Sequence, residues 1–102
     1  MDWEPATKSE VLVALAKDWV GIEPDLRHRL SAYLIDPKSA EIERSGQIER
    51  AFVVARIGRY VVSFDDVEEI FGTAELDGGR LHNAAWYGPA LLALQELERL
   101  TR

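Results

Sequence analysis

Cysteine is absent from the 102 residues. That excludes a disulfide framework, a thiolate metal site and a cysteine nucleophile, and it fits a reducing interior. No apolar run approaches the roughly 18 residues that a membrane-spanning helix needs. Histidine is scarce. His28 and His82 are far apart and have no partner at ligand spacing, which argues against a zinc site. Glycine-rich phosphate cradles are missing too. Gly78-Gly79 stands alone after Asp77 and reads as a hairpin turn. None of the serines, Ser9, Ser31, Ser39, Ser45 and Ser63, sits in a Gly-x-Ser-x-Gly elbow. The expectation is a chain that performs no catalysis and carries no metal or cofactor. Basic residues are in deficit, 12 against 18 acidic, for a net charge of −6. That works against binding nucleic acid or an anionic membrane. The opening residues, MDWEPATKSE, are acidic and polar. They do not resemble a secretory signal, so the expected location is cytoplasmic.

What is present suits one small globular unit, a single α+β domain over 1–102. A chain this long can bury roughly 65% of the surface its unfolded form exposes, enough for one core. Hydrophobic residues make up 47% and charged residues 29%, a balance that argues against disorder. The negative charge is localised. Residues 1–34 carry a net of −2, 35–64 a net of +1 and 80–102 a net of +1. Residues 65–79 hold Asp65, Asp66, Glu68, Glu69, Glu75 and Asp77 with no base. A patch of this kind can focus a field and steer a basic partner, although a solvated, idle face is the plainer reading.

Thr7-Lys8-Ser9-Glu10 has the form of a capping box, and Val11, Leu12, Leu15, Ala16 and Trp19 follow at helical spacing. This predicts a helix over 8–20, ended by Gly21. Pro24 and Asp25 suit the first turn of a second helix over 24–35, with Leu26, Leu30, Tyr33 and Leu34 on one face. Asp36-Pro37 should stop it. Residues 40–44 read as a short edge strand and Ser45-Gly46-Gln47 as a turn. The run from Ile48 to Ile57 is too continuously apolar for a half-exposed strand, and it predicts one covered on both sides. Gly58-Arg59 turns the chain into a returning strand over 60–64. There Tyr60, Val62 and Phe64 should share one face, with Val61 and Ser63 on the other.

Asp65 or Asp66 could cap a short helical turn carrying Val67, Ile70 and Phe71 on one face, ended by Gly72. Residues 73–76 read as a strand and 77–80 as a turn. Residues 80–87 read equally as helix or loop, and Pro89 opens a last helix with Leu91, Leu94 and Leu97 as its apolar stripe. The fold class is therefore α+β: a small antiparallel sheet of three or four strands backed by two N-terminal helices and one C-terminal helix. Two leading helices before a hairpin also suggest a winged helix-turn-helix, but no basic recognition helix is present.

The carboxylates at 65–69 lack the alternating spacing and central glycine of a calcium loop. At a surface helix start, Asp65, Asp66, Glu68 and Glu69 should all be exposed and ionised. The dipeptide Trp86-Tyr87 before Gly88-Pro89 either anchors the last helix in the core or faces a partner, since these residue types are favoured at recognition hot spots. The candidate partner-binding residues are thus Asp65, Asp66, Glu68, Glu69, Glu75, Asp77, Trp86 and Tyr87.

Residues 60–79, YVVSFDDVEEIFGTAELDGG, resemble small bacterial proteins of the polymorphic-toxin immunity type. The resemblance is carried by Phe64, Asp65, Asp66, Val67, Glu68, Glu69, Phe71, Leu76, Asp77 and Gly78. Ile70 stands where that pattern has glycine. Such proteins span unrelated folds, so the resemblance does not choose one. It implies a small cytoplasmic inhibitor that meets the basic active site of a cognate toxin with acidic groups. Two other readings stay open: a small-molecule-binding module with a pocket lined by Tyr60, Trp86 and Tyr87, and a homodimeric structural or accessory protein without chemistry.

Overall fold

The structure, a computed structural model, describes residues 8–65 and 67–102. Thr7 of the capping box, Trp3 and Asp66 lie outside the described residues. The first two helices are α1 (Lys8–Trp19) and α2 (Pro24–Leu30), the latter running into a 3-10 turn, Ser31–Tyr33. Five strands follow: β1 (Leu34–Arg44), β2 (Gln47–Ile57), β3 (Tyr60–Asp65), β4 (Ile70–Asp77) and β5 (Arg80–Gly88). α3 (Ala90–Leu100) follows them.

The fold class is α+β as expected, but the sheet is not an open one of three or four strands. Its strands run β1-β2-β3-β4-β5 and close into a barrel. Successive strands pair antiparallel, and β1 closes on β5 in parallel at Glu41–Arg80 and Ile42–Leu81. The curvature comes from local irregularities. Register shifts fall at Leu34/Lys38, Val53/Ala55, Phe71/Gly72 and Thr73/Glu75. Each adds twist to its strand, and accumulated twist is what brings the first and last strands together.

Several boundaries differ from the sequence reading, each for a physical reason. The 24–35 helix stops at Leu30 and decays through a 3-10 turn, and Leu34 is already strand. Asp36-Pro37 does forbid helix there, but extended backbone satisfies the same restriction. Pro37 sits within the irregularity of the β1–β2 pairing, where its missing N–H costs no ladder bond. The edge strand expected over 40–44 therefore begins ten residues after Pro24, at Leu34.

Among the described residues, the helical turn expected over 65–72 is not formed: 67–69 are a turn and β4 begins at Ile70. The Asp65 carboxylate does accept the Val67 N–H at 2.9 Å, as a cap would. Glu69 then adopts φ +55°, which ends helical geometry, and Ile70, Phe71 and Gly72 pair back onto Asp65, Phe64 and Ser63. Apolar spacing at Val67, Ile70 and Phe71 fits a turn followed by a strand as well as it fits a helix. Residues 80–88, read as helix or loop, are strand β5.

The face assignment of β3 holds. Tyr60, Val62 and Phe64 contribute to an apolar cluster under the helices with Phe71, Leu94 and Leu97, while Val61 packs inside the barrel with Ala40, Ala51, Ala74 and Leu81. β2 is covered on both sides over 51–55, as its continuous apolar run implies. α1 buries Val11 and Leu15 and half-buries Trp19, but Leu12 and Ala16 point outward, contrary to the expected stripe. The helices are tied to each other by polar groups as well. Asp18 of α1 accepts the Ala90 N–H at 2.9 Å and so caps α3, whose own N-cap residue, Pro89, has no side-chain acceptor. Glu98 of α3 takes a two-pronged contact from Arg29, at 3.1 and 3.0 Å, and the Tyr33 hydroxyl at 2.8 Å. The Glu98 hydrogen bond, followed by burial, raises the Tyr33 pKa.

Candidate functional site

The acidic window 65–79 spans the end of β3, the turn after it, all of β4 and the start of the next turn. Glu68 and Glu69 lie at one end of β4 and Asp77 at the other. At about 3.3 Å per residue they are roughly 25 Å apart. The linear window is therefore not one surface patch.

Asp65 is buried, with its side chain 6% exposed, and it pairs with Arg44 at 3.0 Å. The Arg44 guanidinium also lies 5.0 Å from the centre of the Trp86 ring. Trp86, half-buried, lies over Gly72. The expectation of an exposed Asp65 is thus corrected. The carboxylate fastens one end of the barrel, because a buried charge is retained only where ion pairing and hydrogen bonds replace its water. Trp86 takes part in the same contact and stays half-buried. Ser63, fully buried beside Gly72, finds no hydrogen-bond partner for its hydroxyl among the described residues.

Glu75 is partly buried, 3.4 Å from Arg59 and hydrogen-bonded by the Asn83 amide at 2.5 Å. Asp77 is exposed opposite Arg80 at the β4–β5 turn. Tyr87 is 37% exposed on the outer face of β5, with Tyr60 beside the same hollow. Of the eight residues expected to meet a partner, Glu68 and Glu69 stand together and open to solvent.

They adjoin a groove that sequence reading missed. It lies between α1 and the β3–β4 turn and holds about 490 Å³. Val13, Ala14 and Phe71 supply its apolar lining, and Glu10, Asp18 and Glu69 supply three carboxylates against one base, Lys17. Within the groove Val13 is 68% exposed; beyond it, Val20, just after α1, is 77% exposed and Val67, on the turn, 64%. Reading by spacing puts Leu12 and Ala16 in the buried stripe and so does not single out this face of α1; Val13, with Lys17 one turn on, is the part of the groove that lies outside that stripe.

Among the described residues there is no group of three or more His, Asp and Glu able to hold a metal ion, and no helix long and apolar enough to cross a membrane. Comparison with known proteins gives no match to any protein-family model, curated protein or solved structure.

Proposed function

We propose that this is a small acidic protein-binding module of the inhibitor or immunity type, acting in the cytoplasm, and that it takes a basic partner at the groove between α1 and the β3–β4 turn. The observation that carries this reading is the groove itself: an apolar lining of Val13, Ala14 and Phe71 under the carboxylates of Glu10, Asp18 and Glu69. A lysine or arginine side chain has the matching form, an aliphatic stem with a charged head. Its stem would lie along the apolar lining while the head reaches the carboxylates. Glu68 and Glu69, exposed at the mouth, would act on the encounter before contact, because rim charges govern association rate more than final affinity. The wide separation of Asp77 from this site narrows the acidic surface to the 68–69 end of the window.

The test uses an isotope-labelled protein titrated with a lysine-rich amphipathic peptide and, in parallel, with the same peptide carrying glutamate for lysine. The basic peptide should shift the backbone resonances of Val13, Lys17, Glu69 and Phe71. Its association rate should fall as salt screens the rim over a few tenths molar. Glu68→Gln/Glu69→Gln should flatten that salt dependence. Equal response to the two peptides, or the same salt slope in the double variant, removes the reading.

A further inference from the structure

The helix α1 is apolar on two opposite faces. One carries Val11 and Leu15 and is buried. The other carries Leu12, Val13, Ala16 and, a turn further on, Val20, and all four are exposed. The Val20 N–H still bonds to the Ala16 carbonyl at 3.2 Å, so the outer stripe follows the helical line past Trp19. At 3.6 residues per turn these positions fall within an arc of about 100°. Ser9 shares that arc, and no charged side chain lies in it. A surface helix needs one apolar stripe, for its own core; a helix with two has something to cover on each side. We propose that the outer stripe is covered by the same stripe of a second copy of this chain, the two α1 helices packing antiparallel about a two-fold axis beside Val13.

Charge beside the stripe is what selects a second copy. Glu10 and Lys17 flank it on the groove side, and both are exposed. Seven residues apart, they stand one above the other, about 10.5 Å apart along the axis. When two identical helices pack antiparallel about a two-fold axis, each flank meets the same flank of the other copy. An axis level with the midpoint, between Val13 and Ala14, sets Glu10 of each copy against Lys17 of the other. The contact is self-complementary, with the same ion pair made at both ends. A parallel arrangement would instead set Glu10 against Glu10 and Lys17 against Lys17. Among the described residues no ion pair within the molecule holds Lys17.

The same axis fits the stripe itself. It brings Leu12 of each copy level with Ala16 of the other, a large side chain against a small one, and Val13 beside Val13. On the opposite flank Lys8 is already paired with Asp36, so it brings no unmatched charge to the contact. Because Glu10, Val13 and Lys17 also line the α1 groove, the second copy covers the rim of that groove. Dimer and basic partner then compete for one surface, a consequence that rests on the function proposed above; the dimer itself does not.

Sedimentation velocity of the full chain over a range of concentrations tests the pairing. Wild type should pass from monomer to dimer as concentration rises, and a chain that stays monomeric at the concentration of an NMR sample overturns the proposal. Glu10→Lys and Lys17→Glu should each weaken self-association by about tenfold, since each sets like charges together at both ends. Mixed in equal amounts, the two variants should associate as tightly as wild type, because each supplies the charge the other has lost. Misfolding cannot produce that rescue. Variants that dimerise alone as well as wild type, or that fail to associate when mixed, overturn the proposal. Leu12→Gln/Ala16→Gln should be monomeric and keep its helical circular dichroism; a dimer that survives this change lies elsewhere and overturns the proposal. Neither residue lines the α1 groove, so the response of this monomeric variant to the lysine-rich peptide judges the groove separately.

Discussion

One sheet serves two cores of opposite character. Under the helices the contacts are between large side chains: Phe64, Phe71, Leu30, Leu94 and Leu97, with the two phenylalanine rings 4.8 Å apart. Inside the barrel the buried residues are smaller on the whole, Ala40, Ala51, Ala74, Val53 and Val61 with Ile42 and Leu81, while Ile35, Leu76 and Trp86 pack against them partly buried. A barrel of only five strands is narrow, so its interior is limited by volume. The helical layer can settle as a body onto whatever the sheet presents. The two regions should therefore fail in opposite ways: one through truncation, the other through enlargement.

The largest effect is expected in the helix-side core. Phe71→Ala removes a ring that is 1% exposed and should cost about 3–5 kcal/mol in chemical denaturation. A cost below about 1 kcal/mol would show that the helical layer closes over the gap and would end the contrast.

Enlargement inside the barrel comes next. A Cβ at Gly72 would stand 2.2 Å from the Ala85 carbonyl oxygen and 2.6 Å from the Trp86 ring. Gly72→Ala should cost about 3 kcal/mol, because backbone must move. Pairing it with Trp86→Leu should recover little, since the nearer obstacle is the carbonyl. Full recovery in the double variant would place the constraint in the side chain and not in barrel closure.

At the polar end of the barrel, Asp65→Asn should cost about 2 kcal/mol. That is less than for a fully buried pair, because Arg44 remains 28% exposed and regains water. Asp18→Ala removes the cap that α1 lends to α3 and should cost about 1 kcal/mol. The smallest effect is one of pH. Tyr33 is raised chiefly by its hydrogen bond to Glu98, so the folded state favours the protonated phenol. That contribution is complete below the ordinary tyrosine value of about 10 and is lost as pH rises through the raised folded value. Tyr33→Phe should lower stability modestly at neutral pH, where the contribution is complete, and flatten the alkaline part of the stability curve.

Much of the local structure was legible. The turns at Ser45-Gly46, Gly58-Arg59 and Gly78-Gly79 stand where Gly marks them. β2 reads as doubly covered from its unbroken apolar run, and β3 assigns its faces by alternation. What misled were segments that satisfy two periods at once. Val67, Ile70 and Phe71 fit a helix by spacing, yet Ile70 and Phe71 lie in a strand because Phe64 and Asp65 offer a ladder to pair with. The candidate site was harder to read. Six carboxylates adjacent in sequence divide in space among a buried ion pair, an exposed turn and the far end of β4, with Asp66 outside the described residues. The α1 groove needs Phe71 and Glu69 brought against Val13, more than fifty residues away.

The sequence by itself determined the elements whose causes are local: the first and last helices, the glycine turns, the two-faced burial of β2 and the α+β class. Tertiary structure alone decided that the sheet closes, that Asp65 is buried on Arg44, and that Glu69 lines the α1 groove while Asp77 lies at the far end of β4. Turn chemistry and side-chain periodicity act within a few residues and leave a mark in the string. Barrel closure depends on twist summed over five strands and on the interior volume left by Gly72 and the alanines, quantities that no short window contains.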